Sequence, residues 1–375
     1  MALASVEEIV MGSIAFTIFS VLAVAPSLPI LPIGRTAGAL ASAVLTVLFG
    51  VMSPEEAYSA INLPILSLLF GTMLVSVYLE RAEVFKYLAT LLTLKCKGPK
   101  DLLCRISLLS AISSAFFTND TCCVVLTEFV LKIAKQRNLP PHPFLLAVAS
   151  SANIGSAATP IGNPQNLVIA VQSKIPFGTF VLCLFPAMLA GVLINTAILM
   201  LMNWNLLNPD EQDEAVGPDV DSHRFSPATM SRFSSAISQE QNVVDNHEEA
   251  SSCNRIRRWR RMAWKPSVYA VTLGMLGAFI IGLNMSWTAM VAALALVVLD
   301  FKDARPSLEK VSYPLLLFFC GMFITVEGFN KTGIAAALWG KVKRHADMKR
   351  ASGRAILGVT ILVLSNVASN VPTGK

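Results

Sequence analysis

Apolar residues in this chain gather into long runs instead of alternating with polar ones, and short polar or Gly/Pro-marked breaks separate the runs. A helix needs about 20 mostly apolar residues to cross a bilayer. Runs of that character fall at 10–31, 36–52, 64–79, 102–131, 175–203, 266–283, 288–299, 314–329 and 355–368, and predict an all-α, polytopic membrane protein. Two shorter apolar stretches, 84–94 and 334–342, lead into basic residues and read as interfacial helices or the ends of bent spans. The stretch 144–172 is long enough to cross, but it contains SSANIGSAATPIGNPQN, which is too rich in hydroxyl, amide, Gly and Pro residues for a continuous lipid-facing helix.

Composition supports the membrane reading. Of 375 residues, 54% are hydrophobic and 14% charged, and the mean hydropathy is +0.59; soluble domains carry nearer ~25% charged residues. About a third of the charges fall within 205–265, a polar stretch read as a disordered loop between a first transmembrane repeat, 1–204, and a partial second one, 266–375. The loop ends in RIRRWRRMAWK, a basic cluster beside an apolar run, which points to the lipid surface and to the cytoplasmic side; no nucleic-acid partner is expected. Seven cysteines without a CxxC pair argue against a disulfide scaffold or structural zinc, and no metal site is expected. No HExxH, Walker loop or GxSxG pattern is present, so the chain does not read as an enzyme. Glutamates at 7 and 8 replace the positive charge of a signal peptide, and 10–31 reads as a retained span.

The halves are related. Pro64, Gly71 and Arg81 align with Pro314, Gly321 and Lys331 at an offset of 250; Ser114 and Asn119 align with Ser365 and Asn370 at 251, and Thr36 with Thr288 at 252. Three ordered matches indicate an internal repeat. The counterpart of 150–166 would fall near 400–417, so the chain reads as stopping inside its second repeat.

Two polar constellations carry candidate chemistry. In 150–166 a break would free backbone groups among Ser150, Ser151, Asn153, Ser156, Thr159, Asn163 and Asn166, forming a re-entrant binding hairpin over 144–172. In FFTNDTCCVVLTE, Asp120 and Glu128 lie in an apolar run; carboxylates there mark proton or ion paths, and both are candidates for proton coupling, with Asn119 beside them for solute. The alternatives are a small-residue packing seam for the first and a helix cap for Asp120. No charged residue or histidine occurs between 144 and 173, which favours a neutral solute bound by hydroxyl and amide groups.

SSAFFTNDTCCVVLTEFV and FLLAVASSANIGSAATPIGNPQNLVIA resemble the plant silicon efflux transporters, within the group that includes arsenite/antimonite exporters of the ion-transporter superfamily. The resemblance implies proton-coupled export of silicic acid across the plasma membrane, with arsenite as a second cargo. It also implies two inverted repeats, each with a re-entrant hairpin and a broken helix, and an often dimeric scaffold. It places the first hairpin at 150–166, the first broken helix at Thr118, Asn119 and Asp120, and the second at Ser369 and Asn370. No cofactor is expected beyond a coupling ion, H+ or Na+. Two rival readings stand beside it: an arsenite or inorganic-ion antiporter on the same scaffold, and a truncated, non-transporting subunit that assembles with a full-length relative.

Overall fold

The structure, a computed structural model, describes residues 4–24, 34–84, 87–88, 92, 96, 98–207, 251–300, 304–346 and 350–367; the side chains of 23–24, 251–263, 345 and 366–367 are not described. Every regular element among them is a helix: α1 (Val6–Val24), α2 (Gly34–Leu48), α3 (Pro54–Ala60), α4 (Leu63–Arg81), α5 (Pro99–Phe116), α6 (Asn119–Gln136), α7 (His142–Ser156), α8 (Pro164–Gln172), α9 (Phe177–Met202), α10 (Ser251–Ile281), α11 (Met285–Asp300), α12 (Arg305–Leu308), α13 (Tyr313–Lys331), α14 (Ile334–His345) and α15 (Ala351–Val367). Four segments, Leu63–Arg81, Phe177–Met202, Trp264–Ile281 and Tyr313–Lys331, are long and apolar enough to cross a membrane. Leu182, Leu193 and Leu201 on α9 and Leu273 and Ile280 on α10 point outward, as lipid contact requires.

Two expectations are corrected. The single span over 102–131 is two helices, because Phe117 (φ −111°, ψ 164°) and Thr118 (φ −64°, ψ 145°) are extended and Thr118 caps α6, its Oγ1 accepting from Thr121 N at 3.4 Å. The chain then folds back, so that Cys122 Sγ donates to Ser110 O at 3.5 Å. Of the expected loop 205–265, residues 208–250 lie outside the described residues, while α10 begins at Ser251 and runs through the arginine cluster. Arg, Met and Ala are good helix formers, and neither Gly nor Pro interrupts 251–265. Ser369 and Asn370 lie outside the described residues, as does most of 84–94. Ile334–His345 forms the expected short helix, with Leu338 and Trp339 exposed.

The scaffold is built by exchange between the halves. A Cβ on Gly321 of α13 would lie 2.6 Å from the Ala39 carbonyl on α2, and one on Gly71 of α4 would lie 2.8 Å from the Ala289 carbonyl carbon on α11. Only glycine allows backbones so near. Thr36 Oγ1 donates to Pro314 O at 3.2 Å, and Ser286 Oγ donates to Pro64 O at 2.8 Å. Thr36 therefore corresponds to Ser286, two positions before the Thr288 of the sequence alignment, and the offset of 250 holds throughout the crossing. Because Thr36, Ala39 and Thr46 meet Pro314, Gly321 and Gly328 in order, α2 and α13 run parallel. In the same way α11 and α4 run parallel, from Ser286 against Pro64 to Asp300 against Arg81.

Each crossing ends on a cation. Arg81 Nη1 donates to Asp300 Oδ2 at 2.7 Å and to Ser307 Oγ at 2.6 Å, and the guanidinium lies over the rings of Tyr78 and Trp264. Lys331 pairs with Glu56 of α3. Immediately beyond, Glu83 (φ 63°) and Gly333 (φ 77°) turn the chain through the left-handed region, again 250 residues apart. Glu83 accepts from Lys265 Nζ at 2.5 Å, which ties α10 to this turn.

Candidate functional site

The polar breaks meet between α5, α6, α7 and α8. Gly155 brings α7 onto the backbone of α5 at Ala111, where a side chain would collide. The turn 157–163 frees backbone groups, and nearby polar groups collect them. Ser114 Oγ donates to Ala152 O at 2.6 Å, and Thr159 Oγ1 donates to Ala115 O at 2.5 Å while accepting from Gly162 N at 3.0 Å. Asn166 Nδ2 donates to Ser156 O and Thr159 O at 2.9 and 3.1 Å. Gly162 O accepts from Asn119 N at 3.2 Å, which joins the two breaks directly. Water is scarce at membrane depth, so these bonds remove a cost of several kcal/mol per unpaired group.

The expected solute-binding residues therefore divide into two groups. Ser156 donates to Asn153 O, and Thr159 and Asn166 are engaged by backbone. Ser150 donates to Leu146 O at 2.6 Å, and Ser150 and Ser151 both accept from Asn195 Nδ2, at 2.9 and 3.1 Å. These five hold the breaks in shape. Asn119 Nδ2 donates to Asn153 Oδ1 at 2.9 Å, and Asn153 is exposed. Among the described bonds Asn119 Oδ1 and the Asn163 side chain keep free capacity, and Asp120 stands exposed in the first turn of α6 with no described partner. The carboxylate at a helix start is favoured by the free amides there. Glu128 is also exposed, but lies two turns further along α6.

No group of three His, Cys, Asp or Glu side chains suited to a metal occurs among the described residues. A groove of about 530 Å³ between α10 and α11, lined by Gly274, Ala278, Trp287 and Ala295 among others, shares no residue with the polar breaks. Two residues of the site escaped the reading of the sequence. Ser114 lay within the repeat match but bore no role, and Asn195 is a lone amide in an apolar helix, a signal that intramembrane polarity provides.

Comparison with known proteins gives this geometry its context. The family model described as citrate transporter (CitMHS) matches residues 14–374. The chain is 51% identical over its whole length to the silicon efflux transporter LSI3 of Oryza sativa subsp. japonica, covering 81% of that protein. It is 28% identical to the putative transporter arsB of Dictyostelium discoideum, with 91% of this chain and 74% of that protein aligned. The P protein of Homo sapiens is 26% identical over 89% of this chain and 46% of its own length.

Proposed function

We propose that this chain, which belongs to the citrate transporter (CitMHS) family of membrane transporters, exports silicic acid in exchange for protons. Likeness over its full length to a silicon efflux transporter carries the reading. The chemistry of the breaks supports it. The groups left free, Asn119 Oδ1, the Asn163 amide and the Asp120 carboxylate, are mostly acceptors, and no basic residue occurs in 144–173. Silicic acid offers four O–H donors and is uncharged near neutral pH, so acceptors and amides suit it. Citrate, a multiply charged acceptor, would call for fixed cations instead.

A neutral solute gains nothing from the membrane potential, so uphill export needs a coupled ion that distinguishes the two access states. Asp120 is the proton carrier in this reading. It is exposed in the first turn of α6, next to Asn119 in the chain, and no cation is among its described partners. In this reading protonation turns an acceptor into a donor one residue from Asn119, which changes solute affinity with access state.

The repeats are inverted in this reading. The parallel pairs α2–α13 and α4–α11, with α2 and α4 joined only through residues 49–62, support opposite directions for α2 and its counterpart α11. The fold-back of α6 on α5 is assigned as the re-entrant element, and α7–α8 as the broken crossing helix, since α7 packs on α5, α6 and α9 while α8 packs on α4. This exchanges the roles of the two segments expected from sequence. Plasma-membrane placement belongs to the same proposal.

The test is outward flux from cells expressing the chain, with germanic acid (as a silicic acid analogue), arsenite and citrate offered in parallel. The reading expects germanic acid to leave fastest and citrate not at all. Citrate flux without germanic acid flux would overturn it, and arsenite alone would select the antiporter reading favoured by the arsB likeness.

A further inference from the structure

We infer that Asn195 is the positioning residue of this site, fixing the polar segment of α7 to α9 and so setting where the Asn119–Asn153 pair meets the solute. The inference rests on the reading that the tips of α6 and α7 contact the transported molecule. Both amide protons of Asn195 are used, one on Ser150 Oγ and one on Ser151 Oγ, at 2.9 and 3.1 Å. Ser151 is fully buried, and Ser150 passes its own proton to Leu146 O. One carboxamide thus holds two adjacent hydroxyls, and Asn153 follows within a turn, bonded to Asn119.

The packing around it is close. Gly191, one turn before Asn195, faces Ile154, to which a Cβ would come within 3.1 Å. Val192 is buried against the cluster of Ala111, Ala115 and Ala158. No other side chain on α9 makes a described hydrogen bond to α7. At its other end α9 touches the scaffold, with the Phe177 and Phe279 rings 5.3 Å apart. Phe177 and Asn195 lie roughly 27 Å apart along the helix at 1.5 Å per residue. Between them Pro186 removes a backbone bond and makes a point of bending. A displacement of α9 against the scaffold therefore reaches the site at Asn195.

Three variants of the full chain test this: Asn195→Ala and Asn195→Asp, which both lose the paired donors, and Asn195→Gln, which keeps them on a longer arm. Germanic acid efflux is fitted for KM and maximal rate, with surface expression measured beside it. The expected result is a KM raised about tenfold in Asn195→Ala and Asn195→Asp and substantially recovered in Asn195→Gln. A fall in maximal rate that tracks expression, with KM unchanged in all three, would show a merely structural role and overturn the inference. A second readout does not depend on the substrate. In an Asn153→Cys background, labelling by a water-soluble thiol reagent should accelerate severalfold with Asn195→Ala and stay near the parent rate with Asn195→Gln. Equal rates in both would overturn the inference even where no oxyacid moves, while altered labelling together with no germanic acid flux from the unmutated chain would leave the inference standing and the silicic acid reading refuted.

Discussion

The scaffold crossings and the polar breaks both bring helices to backbone contact, by opposite chemistry. At Gly71 against Ala289 and Gly321 against Ala39 the helices are continuous and their backbone groups already paired, so the absence of side chains is all that close approach requires. Hydroxyls at mid-crossing stay within their own helix, as with Ser42 on Gly38 O and Thr46 on Ser42 O, and only those at the entrances, Thr36 and Ser286, reach across to a proline carbonyl. At Gly155 against Ala111 the approach is as close, but the helices end nearby, and Ser114, Thr159, Asn166 and Asn119 N must serve backbone groups that have lost their helical partners. An uninterrupted helix can be packed tightly with glycine alone. An interrupted one needs a dedicated polar shell, and what that shell leaves unused is available to a solute.

The one deeply buried charge among the described residues provides the severest test. The Asp300 side chain is 3% exposed and depends on Arg81. Arg81→Met should cost about 3–5 kcal/mol by stranding that carboxylate, read as a lowered unfolding midpoint in detergent, while the added change Asp300→Asn should recover much of the loss. Next come the crossings. Gly321→Leu and Gly71→Leu should each cost about 1–3 kcal/mol or more through overpacking. Gly340→Leu, with no atom near a Cβ, should be close to neutral. Unequal effects at positions 71 and 321 would break the equivalence of the two crossings.

Hydroxyl removal separates the regions most cleanly. Thr159→Val leaves Ala115 O and Gly162 N without their partner and should cost about 1–3 kcal/mol. Thr46→Val removes only a bond back to its own helix and should change stability by a few tenths of a kcal/mol. The smallest effect belongs to the Lys331–Glu56 pair at the scaffold surface. Its hydrogen bond to Lys331, with the Ser53 amide, holds the Glu56 carboxyl below its usual range. A depressed folded pKa means that the contribution is present above the unfolded value and is lost as pH falls through the folded one. Lys331→Gln should lower the midpoint slightly at neutral pH and leave it unchanged once pH falls below the folded pKa, so that the acid-side slope of stability flattens.

Much of the scaffold was legible because its requirements are local. A backbone crossing demands glycine, and a helix entering the membrane tolerates proline in its first turn, so Gly71, Gly321, Pro64 and Pro314 announced the repeat. Thr36 was misaligned by two positions because small, branched residues on either side match equally well; only its bond to Pro314 O sets the register. The polar segments were recognised, and the proposed exchange of their roles draws on contacts between helices that residue type does not reveal. Thr118 as a cap and the GNP turn both signal a break, whereas direction depends on long-range contacts such as Cys122 on Ser110 O. Similarly, residue type marked Ser150 and Thr159 as polar without revealing that their valences are already committed.

The central claim is that Asp120 couples a neutral hydroxyl solute to protons. The most direct test is germanic acid flux in vesicles containing the chain or its Asp120→Asn variant, measured once as equal-pH tracer exchange and once under an imposed pH gradient. The account predicts that the variant keeps tracer exchange while losing acceleration by the gradient. A variant driven by the gradient as strongly as the parent would contradict it.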